Sequence, residues 1–286
     1  MSGHSKWKNI MHKKEKTDAQ RAKIFTKIGK EISIAVKTGG PDPTVNAKLA
    51  ALIAKAKANN VPNDNIERTI KRASSSDATN LEEMRYEGYG PGGVAVMVTA
   101  ATDNTNRTTP EIRSYFSKYK GNLGTTGCVG YLFEDKGVIV ISMEEGYDED
   151  ALMEASLEAG AADFIADDEA YIVYTEDSDL EAVAKALEDA GFKYVSAEHD
   201  KIPSTYVTLD SEDDIKYMNL LIEHLEDNDD VTEVYHNWEN CAKLVGNDGG
   251  HRVARRGDRL GDIVGVANEH RHGHRLAQGT AYGQDI

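Results

Sequence analysis

The basic residues near the N-terminus are the residues best suited to bind a charged partner. The first 72 residues contain 16 lysine and arginine residues against 6 aspartate and glutamate residues, whereas the whole chain of 286 residues has a net charge of −16. Basic side chains bind phosphate oxygens, and an indole ring can stack on an unpaired base. We therefore predict a nucleic-acid contact from the basic side chains and the tryptophan of the first 30 residues: Lys6, Trp7, Lys8, Lys13, Lys14, Lys16, Arg21, Lys23, Lys27 and Lys30.

The remainder of the chain is acidic. Residues 73–240 contain 10 basic residues against 38 acidic residues, and residues 241–286 contain 7 against 5. Because phosphate repels the acidic body, binding of a polyanion would be oriented. The alternative is that these charge runs are solvated faces. Arg107 and Arg113 lie in and just after a polar loop, where helix capping does not explain them, so a secondary contact there is a further prediction.

Motifs for catalysis are not evident. The sequence lacks G-x-S-x-G, H-E-x-x-H and Walker A strings, and Cys128 and Cys241 are far apart. Residues 88–93 match G-x-G-x-x-G, but they precede a predicted strand instead of following one, which favours a turn or close backbone packing over a dinucleotide site. The acidic residues at 163–169 and the histidines at 270–274 are predicted to be solvated. We predict no catalytic residue, no cofactor and no metal.

Apolar spacing organises the chain into helices and then strands. Steps of three and four residues predict helices over about 24–37, 44–60 and 62–72, with Arg68, Lys71 and Arg72 facing outward on the third. Residues 137–199 then show strand, helix, two strands, helix and strand, which is the ferredoxin-like order.

The strands and helices before and after this unit make up a second ferredoxin-like unit. We predict strands at about 93–100, 128–133, 205–209 and 231–235, helices at 110–119 and 215–225, and Tyr131 with Phe133 in the core. The predicted fold class is α+β: an N-terminal three-helix domain followed by two ferredoxin-like βαββαβ domains, one inserted in the other. The predicted ranges are 1–77 for the basic helical domain, 78–134 with 203–239 for the first α/β domain, 135–202 for the inserted acidic domain, and 240–286 for a flexible tail.

Three strings and one spaced series in this sequence are distinctive: Gly3–Ile10, Glu87–Gly93 and Asn106–Thr108, and the series Lys14, Asp18, Arg21, Phe25, Lys27 and Glu31-Ile32. Together they resemble the YebC family, which includes bacterial proteins described as transcriptional regulators and the mitochondrial translational activator of cytochrome c oxidase. The resemblance runs from residue 2 to about residue 239. It implies a helical N-terminal domain, two α/β domains, and association with nucleic acid or the ribosome without enzymatic activity.

Two functions are compatible with these observations. One is a DNA-binding transcriptional regulator, which the usual description of the family favours. The other is a translation factor that binds ribosomal or transfer RNA, which a basic arm with Trp7 and no evident recognition helix favours. The ribosome or RNA polymerase would be a further partner. No long apolar run or secretory signal is present, so we predict a cytoplasmic protein with no membrane contact, and the oligomeric state stays open.

Overall fold

Three helices form the first part of the fold in the computed structural model, which describes residues 18–75, 80–167 and 169–240. They are α1 (Asp18–Gly39), α2 (Ala47–Ala58) and α3 (Asn63–Ala73). Apolar residues three and four positions apart share one face of a helix, and these faces pack together. The three helices predicted from this spacing are confirmed. Their shared core contains Ile28, Ile32, Leu49, Leu52 and Ile66.

Asn46 fixes the turn between α1 and α2. Its side-chain oxygen accepts a hydrogen bond from the backbone nitrogen of Leu49 at 3.0 Å, which caps α2. Its amide nitrogen donates to the carbonyl oxygens of Ala35 at 2.9 Å and Gly40 at 2.8 Å. The helix predicted from about residue 44 begins later, at Ala47, because the Asp42 carboxylate accepts from the Thr44 amide and forms a turn that precedes the helix.

The first sheet has four antiparallel strands, which are numbered in chain order: β1 (Glu82–Tyr89), β2 (Ala95–Thr102), β3 (Asn122–Leu123) and β8 (Val231–His236). Their order in the sheet is β3-β1-β2-β8. Two helices, α4 (Thr105–Lys118) and α7 (Glu212–Asp227), cover one face of this sheet, around a core that includes Val96, Phe116, Leu221 and Trp238.

Three details of this sheet differ from the sequence prediction. Strand β1 was not predicted, because its first half is charged and exposed and shows no apolar alternation. The predicted strand at 128–133 is wrong, since residues 130–132 form a short 3-10 helix. The predicted strand at 205–209 is reduced to one bridge between Val207 and Trp238. Strand β1 pairs with both β2 and β3 and is one of the two inner strands of this sheet.

The second sheet also has four antiparallel strands: β4 (Phe133–Ser142), β5 (Asp163–Ala166), β6 (Ala170–Glu176) and β7 (Ser196–Pro203). Their order in the sheet is β5-β6-β4-β7. Two helices, α5 (Glu149–Glu158) and α6 (Leu180–Asp189), cover one of its faces, around Ile139, Ile141, Leu152 and Val173. Each of these elements agrees with the predicted order, and the α+β class is confirmed.

The chain passes between the two sheets at two adjacent places. Phe133 at the start of β4 pairs with Pro203 at the end of β7, and the Ser204 nitrogen donates to the Leu132 carbonyl oxygen at 2.8 Å. The first sheet thus takes its strands from both sides of the second. The boundaries assigned above to the inserted domain stay a prediction. In the described ranges no helix is both long enough and apolar enough to cross a bilayer.

His199 on β7 gives the second sheet a pH-dependent contact. Its ring nitrogens lie 2.7 Å from Asp177 and 3.3 Å from Glu181, at the start of α6. Burial disfavours the charged ring, but the two carboxylates outweigh this effect and raise the pKa of His199. The resulting stabilisation is complete below the unfolded-state pKa of about 6.5 and is lost as the pH rises through the higher folded-state pKa.

We therefore expect the urea midpoint of the native protein to fall between about pH 6 and pH 8 relative to that of His199→Gln. Since the side chain is partly exposed, the difference should not exceed about 1 kcal/mol. Equal pH profiles for the two proteins would show that this contact does not contribute to stability.

Candidate nucleic-acid interface

Three of the lysines predicted to bind phosphate form a row on one face of α1. Lys23, Lys27 and Lys30 are four and three residues apart, which places them on successive turns of the helix. We call them the lysine row. All three contact residues 226–230, which we call the acidic turn and which spans the last residues of α7 and the connection to β8. In this structure the lysine row therefore lies against the protein itself.

The contacts of the row involve both carboxylates and backbone oxygens. Lys23 forms an ion pair with Asp227, and the Lys27 Nζ donates to the Glu226 carbonyl at 2.5 Å. The Lys30 Nζ donates to the Asp229 carbonyl at 2.9 Å and to Asp230 Oδ1 at 2.8 Å. The hydrogen bond between Lys23 and Asp227 raises the pKa of the lysine and lowers the pKa of the carboxyl.

The acidic turn attracts cations for two reasons. Four of its five residues are acidic, and it begins at the end of a helix of 16 residues. The last carbonyl groups of a helix lack partners within the helix and carry the negative end of its dipole. Lysines that donate to the carbonyls of residues 226 and 229 satisfy those oxygens directly. Charge and backbone geometry thus favour the same partner.

Asp230 connects the acidic turn to the first turn of α4, which contains Arg107 and Thr108. Its side chain is almost fully buried and accepts from Lys30, from Arg107 Nη2 at 2.6 Å and from Thr108 Oγ1 at 2.7 Å. Burial opposes ionisation, but these three donors outweigh it and hold the pKa of the Asp230 carboxyl well below its ordinary value. Arg107, predicted from the sequence to lie in a loop, lies in this helical turn, and its ion pairs with Asp230 and Asp103 account for its presence there.

A second ionic cluster, which is partly buried, fastens the helical domain to the first sheet. Lys55 on α2 lies 3.1 Å from Glu31 on α1 and 2.5 Å from Glu233 on β8. Burial disfavours the charged amine, but the two carboxylates outweigh it and raise the pKa of Lys55. Desolvation raises the pKa of Glu31, against the opposing effect of Lys55. The cluster joins three elements that are far apart in the sequence.

The outward face of α3 carries the most accessible cations of the helical domain. Arg68, Lys71 and Arg72 are exposed, and within the described ranges no hydrogen bond or ion pair occupies their charged groups. Arg68 and Arg72 line a cleft of about 1020 Å³ between α1, α3 and the acidic turn. The sequence indicated that these side chains face outward. The site was nevertheless predicted at residues 6–30, because lysines are denser there.

The other predicted contacts fall into two groups. Arg21 is exposed near the start of α1, and Arg113 is exposed on α4. Six predicted contacts lie outside the described residues, as does the histidine cluster at 270–274: Lys6, Trp7, Lys8, Lys13, Lys14 and Lys16. No group of three potential metal ligands occurs in the parts of the chain that the structure describes.

Comparison with known proteins assigns the chain to a family. A family model described as the TACO1/YebC protein N-terminal domain matches residues 5–76, and a model described as the TACO1/YebC second and third domain matches residues 81–238. The chain belongs to the YebC/TACO1 family. The resemblance inferred from the sequence strings is therefore confirmed, and both models end before the tail.

Similar proteins of the YebC/TACO1 family carry regulatory names. A protein of Acetivibrio thermocellus named probable transcriptional regulatory protein is 56% identical over 239 residues, covering 83% of this chain and 99% of the relative. A protein of Caldicellulosiruptor saccharolyticus with the same name is 56% identical over 240 residues, covering 84% and 99%. The crystal structure of a conserved hypothetical protein from Aquifex aeolicus matches with a TM-score of 0.69 at 40% identity, covering 84% of this chain and 96% of that chain.

The glycine-rich string of this YebC/TACO1 chain serves packing. At Gly92, where φ is +64°, a β-carbon would lie 2.2 Å from the Leu209 side chain, and at Gly88 it would lie 2.5 Å from the Asn122 carbonyl. The buried Glu87 carboxylate accepts from the amides of Val129 at 3.0 Å and Gly130 at 2.7 Å. Glu87 thereby holds the first of the two chain crossings between the sheets.

Tyr131 beside this crossing corrects one sequence interpretation. The alternation of Tyr131 and Phe133 predicted that both lie in the core. Phe133 is buried, but the side chain of Tyr131 is 73% exposed. The alternation does not indicate burial here, because residues 130–132 form a 3-10 helix and not a strand.

Proposed function

We propose that this chain is a non-enzymatic, nucleic-acid-binding regulator of gene expression that contacts phosphate through its basic helical domain. The observation that carries the proposal is the exposed trio Arg68, Lys71 and Arg72 on α3, in a chain whose residues 73–240 are strongly acidic. Exposed cations without an internal partner can neutralise phosphates and release counterions. Arg21 and the predicted lysines of the arm would extend this surface, with Arg113 as a secondary contact.

DNA is the first candidate for the nucleic acid. The relatives from Acetivibrio and Caldicellulosiruptor are named as transcriptional regulatory proteins, and regulation at that level requires contact with DNA or with RNA polymerase. A surface of arginines and lysines binds the phosphate backbone, and sequence preference would then come from DNA shape and a few base contacts.

Structured RNA is the second candidate, and one observation favours it. A helix that reads bases enters the major groove of DNA with its polar face free. The basic face of α1 instead lies against the acidic turn, and α3 has only 11 residues. A backbone-binding surface in a domain whose sequence also contains Trp7 suits ribosomal or transfer RNA, whose unpaired bases are accessible to stacking. The protein would then be a translation factor.

Ultraviolet crosslinking in growing cells tests both candidates. The attached nucleic acid would be sequenced from the native protein and from a variant with Lys13, Lys14 and Lys16 changed to Glu. Ribosomal or transfer RNA that disappears in the variant would establish a translation factor. Promoter DNA enriched above the variant, without such RNA, would establish a transcriptional regulator. Equal recovery of nucleic acid from both proteins would remove the arm from the binding surface.

A further inference from the structure

The acidic turn and the lysine row together form a contact that a polyanion can replace. We propose that the acidic turn occupies the outer lysines of the row in the free protein, and that phosphate groups displace it when nucleic acid binds. The inference rests on the proposed function and adds a regulatory contact within the same surface. Residues 226–230 would act as an internal competitor that lowers the affinity for nucleic acid.

The acidic turn resembles a nucleic-acid backbone in the groups that it offers. Within five residues it presents the carboxylates of Asp227 and Asp230 and the carbonyl oxygens of residues 226 and 229 to three consecutive lysines. A phosphodiester strand likewise offers a series of anionic oxygens. A lysine amine has three rotatable donors and no geometric demand for a particular anion, so the same amines can exchange one set of oxygens for another.

Exposure along the row indicates which contacts exchange. The side chains of Lys23 and Asp227 are 43% and 73% exposed, so water and salt weaken this ion pair. The side chains of Lys30 and Asp230 are only 21% and 7% exposed, and Asp230 is also bound by Arg107 and Thr108. The outer contacts at Lys23 and Lys27 would therefore open, while the inner contact at Lys30 stays closed and keeps the domain attached.

This arrangement has a measurable effect on salt dependence. A lysine that binds phosphate normally contributes to the salt slope because counterions leave the nucleic acid. When a lysine must first break its ion pair with the acidic turn, part of the binding free energy is lost. This loss becomes smaller at higher salt, because salt weakens the ion pair. Removing the competing carboxylates should therefore both tighten binding and make it more sensitive to salt.

The test compares two double variants of the full chain. Asp227→Asn with Asp229→Asn removes two charges from the acidic turn, and Glu212→Gln with Asp213→Asn removes two exposed charges from the opposite end of α7. Binding is measured by fluorescence anisotropy to a 20-nucleotide RNA and to a DNA duplex of the same sequence. We expect the turn variant to bind about two to five times more tightly than the control variant, as for the loss of the one surface ion pair between Lys23 and Asp227 and of the weaker attraction between Asp229 and Lys23.

Hydrogen exchange supplies a readout that does not depend on nucleic-acid affinity. Amides 226–229 of the native protein should exchange faster when RNA, DNA or inorganic polyphosphate is added, while amides near Asp213 should not change. If polyphosphate accelerates exchange but neither nucleic acid binds, the displaceable contact stands and the proposed function fails. If nucleic acid binds but the two double variants have equal affinity and exchange is unchanged, the displaceable contact is refuted and the proposed function stands.

Discussion

Reversing the charge of Arg68, Lys71 and Arg72 to glutamate is expected to weaken nucleic-acid binding by about 100-fold at 0.15 M salt. Because of counterion release, each phosphate contact raises the binding affinity about fivefold at this salt concentration, and the factors for three contacts multiply. The exposed position of all three side chains means that the fold should tolerate the change. Fluorescence anisotropy on RNA and duplex DNA, with circular dichroism to check folding, measures the effect.

The matched control reverses three exposed lysines of the acidic body, Lys185, Lys193 and Lys216, which changes the net charge equally. This control should lose much less affinity, because the repulsion that it adds is distant and screened. If about six cations contact phosphate in the native protein, the slope of log affinity against log salt should be about −4 to −5 and should become shallower by about 2 to 3 in the α3 variant. Equal losses in variant and control would exclude α3 from the interface.

Replacing Asp230 by alanine is expected to lower the free energy of unfolding by about 2 to 4 kcal/mol. The substitution leaves Lys30, Arg107 and Thr108 without the acceptor that they share, in a region where Asp230 is only 5% exposed. Urea unfolding measures the loss. Asp229→Ala is the matched control, since its side chain is exposed and only its carbonyl binds Lys30, so its effect should stay below about 0.5 kcal/mol.

The pH dependence of Asp230 provides a second reading of the same contact. Because the folded-state pKa is lowered, the stabilisation is fully present above the unfolded-state pKa of about 3.9 and is lost as the pH falls through the folded-state value. Stability of Asp230→Asn should therefore decline less steeply in acid than stability of the native protein. A difference between Asp230→Ala and Asp229→Ala of less than about 0.5 kcal/mol would contradict the role assigned to this carboxylate.

The parts of the fold that were predictable from the sequence are those whose burial follows a regular period. The stripe of Ile28 and Ile32 on α1 identifies one buried face, and the β-branched run of Val138 to Ile141 on β4 identifies a strand that is buried on both faces. The sequence of strand β1 shows no such period, because Glu82, Glu83 and Arg85 are exposed and only residues 86–88 are buried. Its pairing with β2, and not its own pattern, makes it a strand.

The sequence predicted the positive charge of the candidate site but not the internal partners of its lysines. The density of lysine in the first 30 residues is visible in the sequence, but the partner of Lys23 lies 204 residues further along the chain. No local pattern connects Asp227 or Asp230 to α1, since acidic residues are common throughout the body. The same reasoning explains Arg107, whose ion pair with Asp230 depends on where β8 begins. Long-range pairing decides which cations remain available.

The pairing of Phe133 with Pro203 also bears on how this architecture can vary. Residues that face each other across antiparallel strands are about 5 Å apart, so the polypeptide between them leaves and returns at nearly one point. Such a piece can be lengthened, shortened or exchanged for another without rerouting the strands on either side, because its two ends impose almost no distance constraint. The segment that forms the second sheet is therefore exchangeable. It could be removed by joining residue 133 to residue 203 through a short turn.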